Sequence, residues 1–141
     1  MQEKPLEGKV AIVTGAGSPI GMGRAMTVAL VGAGARVAMM DINETWLEQT
    51  ANDIRETGGD DCVITVVADI SNPDDAESAV GRTVAELGGV HILVNNAGTT
   101  SFSTSTMVTV AAIAMMGLKL RWANRNWRLP KVSAFQARMK A

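Results

Sequence analysis

The chain has 141 residues and a net charge of −1, with 47% apolar residues against 19% charged. These proportions fit one globular domain, and no apolar run reaches the roughly 20 residues that a membrane-spanning helix requires. A single cysteine, Cys62, excludes an internal disulfide, and Met1-Gln2-Glu3-Lys4-Pro5 lacks a basic-then-apolar secretion pattern, so a reducing cytoplasm is expected.

Lys9-Val10-Ala11-Ile12-Val13 is a β-branched apolar run ending in Thr14-Gly15, the pattern of a buried strand followed by a sharp turn. Strong helix formers from Arg24 to about Val31 close on Gly32-Ala33-Gly34, a C-terminal cap signal, and Arg36 to Asp41 reads as the second strand. Glu44 to Thr57 places Trp46, Leu47, Thr50 and Ile54 at helical spacing and stops at Gly58-Gly59. Cys62 to Ala68 reads as a third strand. Pro73 sits where a helix's first turn tolerates it, Asp74 to Leu87 runs helically into Gly88-Gly89, and His91 to Val94 is a fourth strand.

Strands alternating with helices of 10–15 residues predict parallel βαβ units with right-handed crossovers. The expected class is α/β, a Rossmann-like doubly wound parallel sheet of about four strands in the order 3-2-1-4.

Beyond Gly98 the composition changes. Residues 1–98 hold all 14 acidic residues and 6 basic ones, a net −8; residues 99–141 hold 7 basic residues and no acid, a net +7. Two units are therefore expected: a dinucleotide-binding half over 1–98, and a basic segment over 99–141 with a helix at about 107–120 followed by irregular chain.

The loop from Thr14 to Gly23 joins strand to helix, where backbone N–H groups and the helix dipole can hold a pyrophosphate. A glycine-rich turn alone signals only tight turning; its setting carries the phosphate reading. Gly15, Ser18, Gly21, Met22 and Gly23 are the candidate contacts. Asp41, followed by Ile42, closes the second strand 18 residues beyond Gly23, where a carboxylate can accept both ribose hydroxyls of an adenosine and repel a 2′-phosphate. A helix N-cap or a solvated strand end is the structural alternative for Asp41. NAD is expected over NADP.

Thr14-Gly15…Gly21-Met22-Gly23-Arg24-Ala25, Ala68-Asp69-Ile70 and Leu93-Val94-Asn95-Asn96-Ala97-Gly98 resemble the glycine motif, the adenine-contacting aspartate and the Asn-Asn-Ala-Gly signature of short-chain dehydrogenases/reductases. The resemblance covers residues 6–98 well and the following segment faintly. It implies that Asp69 bonds the adenine amino group, that Ile70 flanks the ring, and that Asn96, Ala97 and Gly98 line the cofactor's ribose. The implied reaction is hydride transfer between a secondary alcohol or ketone and NAD.

Two departures from the family stand out. Five residues separate Gly15 from Gly21 where the family has three, so either Pro19 replaces the middle glycine or two residues are inserted; proline offers no N–H, which favours insertion. The chain also has no tyrosine, whereas the family's proton donor is a tyrosine four residues before a lysine. No catalytic residue and no metal ligand is assigned.

The expectation is an NAD(H)-binding protein of this type, catalytically incomplete as this chain and truncated relative to the family. Its alternative is a non-catalytic NAD-binding or interaction module. A lesser alternative takes the basic segment, with Trp122 and Trp127, as a nucleic-acid or membrane-surface patch. Self-association through an uncovered fourth-strand edge at Ile92, Leu93 and Val94 is also expected.

Overall fold

The computed structural model describes residues 4–98; the basic segment at 99–141, with the helix expected at 107–120, lies outside the described residues. Four strands form a parallel sheet: β1 (Val10–Thr14), β2 (Arg36–Asp41), β3 (Val63–Val67) and β4 (Ile92–Val94), in the order β3-β2-β1-β4. This is the order expected from the sequence. Helices α1 (Met22–Gly32), α2 (Glu44–Gly58) and α3 (Pro73–Leu87) make the crossovers.

Successive strand side chains point to opposite faces, and both faces are covered. On one, Ala11, Val13, Val37 and Met39 pack with Leu47, Ala51 and Ile54 of α2 and with Leu30 and Val31 of α1. On the other, Val10, Ile12, Ala38, Met40 and Val66 pack with Ala79 and Leu87 of α3. No described helix is long and apolar enough to cross a membrane.

Local chemistry sets the helix ends. Asn43 and Asn72 cap α2 and α3, accepting from Trp46 N at 3.0 Å and Asp74 N at 3.0 Å. Gly88, at φ +86°, ends α3 in the left-handed conformation and donates to Val84 O at 2.9 Å. Several details differ from the sequence expectation. Helix α1 begins two residues before Arg24; Cys62 falls in a 3₁₀ turn (Asp60–Cys62) rather than in β3; and Trp46 is exposed, because the buried stripe of α2 is Leu47, Thr50, Ala51 and Ile54.

At the N-terminal end of the sheet, His91 joins β4 to β1 twice: its N–H donates to Val10 O at 2.8 Å, and its Nδ1 accepts from Val10 N at 3.1 Å. Acceptance requires a neutral ring with its proton on Nε2. His91→Ala strands the Val10 amide and should cost about 1–2 kcal/mol in urea denaturation, whereas His91→Asp, which restores an acceptor, should recover most of it. Equal losses in both variants would show that the imidazole contact contributes nothing.

Burial pushes the Cys62 thiol up from its ordinary range, against weaker lowering by a backbone hydrogen bond and by Arg55. The thiolate is the nucleophile, so iodoacetamide at pH 7.5 should label Cys62 slowly until denaturant is added. Labelling as fast as that of a free thiol would mean that the α2–β3 connection opens readily.

Candidate functional site

Because all four strands run the same way, their C-terminal ends share one edge, and every residue assigned to the cofactor site from the sequence lies on or just beyond it. Gly15 leaves β1 at φ +65°, and a Cβ there would stand 2.7 Å from Ala97 Cα, so only glycine lets the loop lie against the segment after β4. Ala16 N–H donates to Met40 O at 3.1 Å, extending the hold on β2.

The chain then bulges. Pro19 and Ile20 are exposed, Ile20 at 96%, before Gly21 takes the N-cap position of α1 and donates to Ser18 O at 3.2 Å. Gly23, in the first turn of α1, is buried, and a Cβ on it would meet Ala16 Cα at 2.8 Å and Asn96 Nδ2 at 2.9 Å. Gly23 thus makes the close helix-to-strand approach, and Pro19-Ile20 stand out from it as an exposed bulge.

The start of α1 differs from that of its neighbours. Helices α2 and α3 carry Asn caps and acidic residues in their first turns; α1 has neither a side-chain cap nor an acid there. An uncapped helix start without negative charge, opening from a glycine loop, suits an anionic pyrophosphate. Met22, 71% exposed, and Ile42 at the end of β2, 68% exposed, are apolar side chains left open at this edge.

Asp41 does not cap α2, since Asn43 holds that position. Its Oδ2 accepts from Gly17 N at 2.8 Å and its Oδ1 from Asn43 N at 3.1 Å. Each oxygen keeps a further lone pair for another donor. Gly17 must be glycine for this contact, because a Cβ would come within 2.8 Å of Asp41 Cγ.

Beyond β3, Asp69 is exposed. Its Oδ1 accepts from Ser71 Oγ at 2.6 Å and Ser71 N at 2.9 Å, and these bonds hold its carboxyl below the usual range. Ile70 beside it is half-buried, and neither residue hydrogen-bonds to the glycine loop among the described residues.

After β4, Asn96 turns its amide inward, with Nδ2 donating to Thr14 O and Gly15 O, both at 3.1 Å. The Thr14 hydroxyl is the hub: it accepts from Asn96 N at 3.0 Å and Ala97 N at 3.1 Å, and donates to Val94 O at 3.4 Å. The Asn96 side chain therefore ties β1 to β4, leaving Ala97 against Gly15 and Gly98 exposed just beyond. Thr14 opens the glycine motif read from the sequence, but neither it nor Gly17 was among the candidate contacts. A hydroxyl directly ahead of the first glycine was the available signal for Thr14.

A family model described as short chain dehydrogenase matches residues 9–118. The chain belongs to the short-chain dehydrogenase family. It is 45% identical over 93 residues to a short chain dehydrogenase of Pseudocercospora fijiensis, covering 66% of this chain and 29% of that one. A short chain dehydrogenase/reductase from Burkholderia phymatum, solved in complex with NAD, is 29% identical with a TM-score of 0.71, covering 80% of this chain and 43% of that one. L-Sorbose reductase from Gluconobacter frateurii, solved with NADPH and L-sorbose, is 26% identical with a TM-score of 0.70, covering 82% of this chain and 48% of that one. This short-chain dehydrogenase chain thus spans less than half the length of these relatives, and its match to the family runs past Gly98 to Leu118.

Proposed function

We propose that this chain is the dinucleotide-binding part of a short-chain dehydrogenase and that its cofactor is NAD(H). The Burkholderia phymatum relative, solved with NAD, supports the class of ligand, and the Gluconobacter frateurii relative, solved with NADPH, leaves the choice to this chain's own residues. The observation that carries the choice is Asp41. Its carboxylate ends β2, is fixed from two sides by Gly17 and Asn43, and retains acceptor capacity on both oxygens for a ribose diol. A 2′-phosphate would meet the same negative charge. The pyrophosphate would rest on the loop from Gly15 through Ser18 and Gly21 to Met22 and Gly23, with Ile42 and Ile70 beside the adenine, Asp69 on its amino group, and Asn96, Ala97 and Gly98 behind the ribose.

When bound, the dinucleotide supplies a hydride donor or acceptor; the residues of this chain bind and orient it. The family reaction, between a secondary alcohol or ketone and NAD, belongs in this reading to the whole protein. With no tyrosine among its 141 residues the chain lacks the family's proton donor, which favours NAD binding without turnover by this chain alone. The single buried Cys62 suits a reducing compartment such as the cytoplasm.

Calorimetric titration tests the reading. The wild type should bind NAD+ more tightly than NADP+, and Asp41→Ala should weaken NAD+ by about 10–100-fold, the value of a charge-assisted hydrogen bond, while narrowing the preference. An unchanged ratio between the two cofactors would make Asp41 purely structural. Ordinary steady-state oxidation of a panel of secondary alcohols would contradict the expectation of incomplete catalysis.

A further inference from the structure

Three helical threonines, Thr27, Thr50 and Thr83, are wholly buried. A buried hydroxyl in a helix ordinarily satisfies itself on the carbonyl four residues back, and two of the three do so: Thr27 donates to Gly23 O at 2.8 Å and Thr83 to Ala79 O at 2.8 Å. Thr50 does not. From the core-facing stripe of α2 it reaches out of its own helix and donates to Gly17 O at 2.7 Å, 33 residues away.

Gly17 is therefore held at both ends of its polar backbone. Its carbonyl takes the Thr50 hydroxyl, and its N–H is given to Asp41 Oδ2. With the carbonyl anchored, a movement of Gly17 that takes its N–H off the carboxylate also pulls on the Thr50 bond, so the two contacts restrain the residue together. Asn43 N–H restrains the other carboxylate oxygen. Thr50, Gly17 and Asp41 thus form a relay from the core to the tip of β2.

We propose that Thr50 is a positioning residue for cofactor choice: through Gly17 it orients the Asp41 carboxylate that receives the adenosine ribose. This rests on the dinucleotide reading above. Thr50 itself touches the glycine loop and, being wholly buried, offers no surface to a ligand. Its effect is to keep the acceptor preorganised, so that a ribose diol meets a fixed carboxylate and a 2′-phosphate cannot push that charge aside.

The test compares the full chain with Thr50→Val, which keeps the shape and removes the hydroxyl, and Thr50→Ser, which restores it. NAD+ and NADP+ affinities are measured by calorimetry, and Gly17 amide exchange is followed by NMR in cofactor-free protein. Thr50→Val should exchange the Gly17 amide about tenfold faster and weaken NAD+ about tenfold, with a smaller loss for NADP+; Thr50→Ser should return all three towards wild type. Equal weakening of both cofactors, or none, in a folded Thr50→Val overturns the proposal, since a general loss of packing does not alter a ratio. Should Thr50→Val fail to fold, Thr50→Ala, which leaves room for water at the Gly17 carbonyl, is read by the same criteria. A wild type that binds neither cofactor overturns the dinucleotide reading instead, and the exchange rates alone then decide whether Thr50 holds the loop: acceleration in the variant upholds that hold, and an unchanged rate refutes it.

Discussion

Gly23→Ala should lower the melting temperature by about 10–20 °C. The added Cβ has no soft neighbour to displace: it meets the backbone of the glycine loop, with Ala16 Cα at 2.8 Å, and the Asn96 amide at 2.9 Å. That backbone is itself fastened, by Ala16 N–H to Met40 O and by Gly17 N–H to Asp41. Overpacking against a rigid wall costs about 1–3 kcal/mol, and near the upper end of that range a domain of this size melts at a temperature lower by the interval stated. Gly81→Ala is the internal reference. Gly81 is exposed within α3 with nothing near its missing Cβ, so the same substitution should stabilise by about 0.5–1 kcal/mol through helix propensity. Differential scanning calorimetry of both variants provides the check. A Gly23→Ala protein melting with the wild type would show that α1 can slide away from β1, and that the close approach is not required.

Thr14→Val has the second large effect. Valine fits the buried space but leaves the amides of Asn96 and Ala97 without their acceptor and Val94 O without its donor. Two stranded, partly buried amides should together cost about 2–4 kcal/mol, a large share of the 5–15 kcal/mol typical of a whole domain. Thr14→Ser keeps the hydroxyl and should stay within about 1 kcal/mol of wild type in guanidinium denaturation. If valine and serine behave alike, the hub is incidental and the Asn96 side chain alone ties the segment after β4 to β1.

What could be read from the sequence follows from the range of the interactions involved. The strands were legible because a parallel sheet covered on both faces demands uninterrupted apolar runs rich in β-branched residues, such as Val10–Val13, and the helix ends because caps and glycines act on neighbours a few residues away. Trp46 was misplaced for the same reason in reverse: one residue from Leu47 turns a side chain about 100° around the helix, and only the sheet beneath decides which of the two is buried. The gathering of the candidate cofactor residues at one edge was legible from motif order, but the wiring of that edge was not. Asn96 spans 82 residues to reach Thr14, and Thr50 spans 33 to reach Gly17; single long-range polar contacts leave no periodicity in a sequence. An off-pattern threonine on an apolar stripe is the faint trace they do leave.

The pairing of the strands also favours an order of assembly. Partners on β1 and β2, or on β2 and β3, lie 26 residues apart, as in Val10 with Arg36 and Val37 with Val63, whereas Ala11 and Ile92 lie 81 apart. Closing the longer loop carries about 1 kcal/mol more entropy cost, so the three strands β3, β2 and β1 can come together as a local unit before β4 arrives. The glycine loop and Asp41 belong to that early unit; Asn96 and Ala97 come in with the last strand. A chain that folds in this order completes the far wall of the strand-end edge last, and presents half of that edge before it owns the whole.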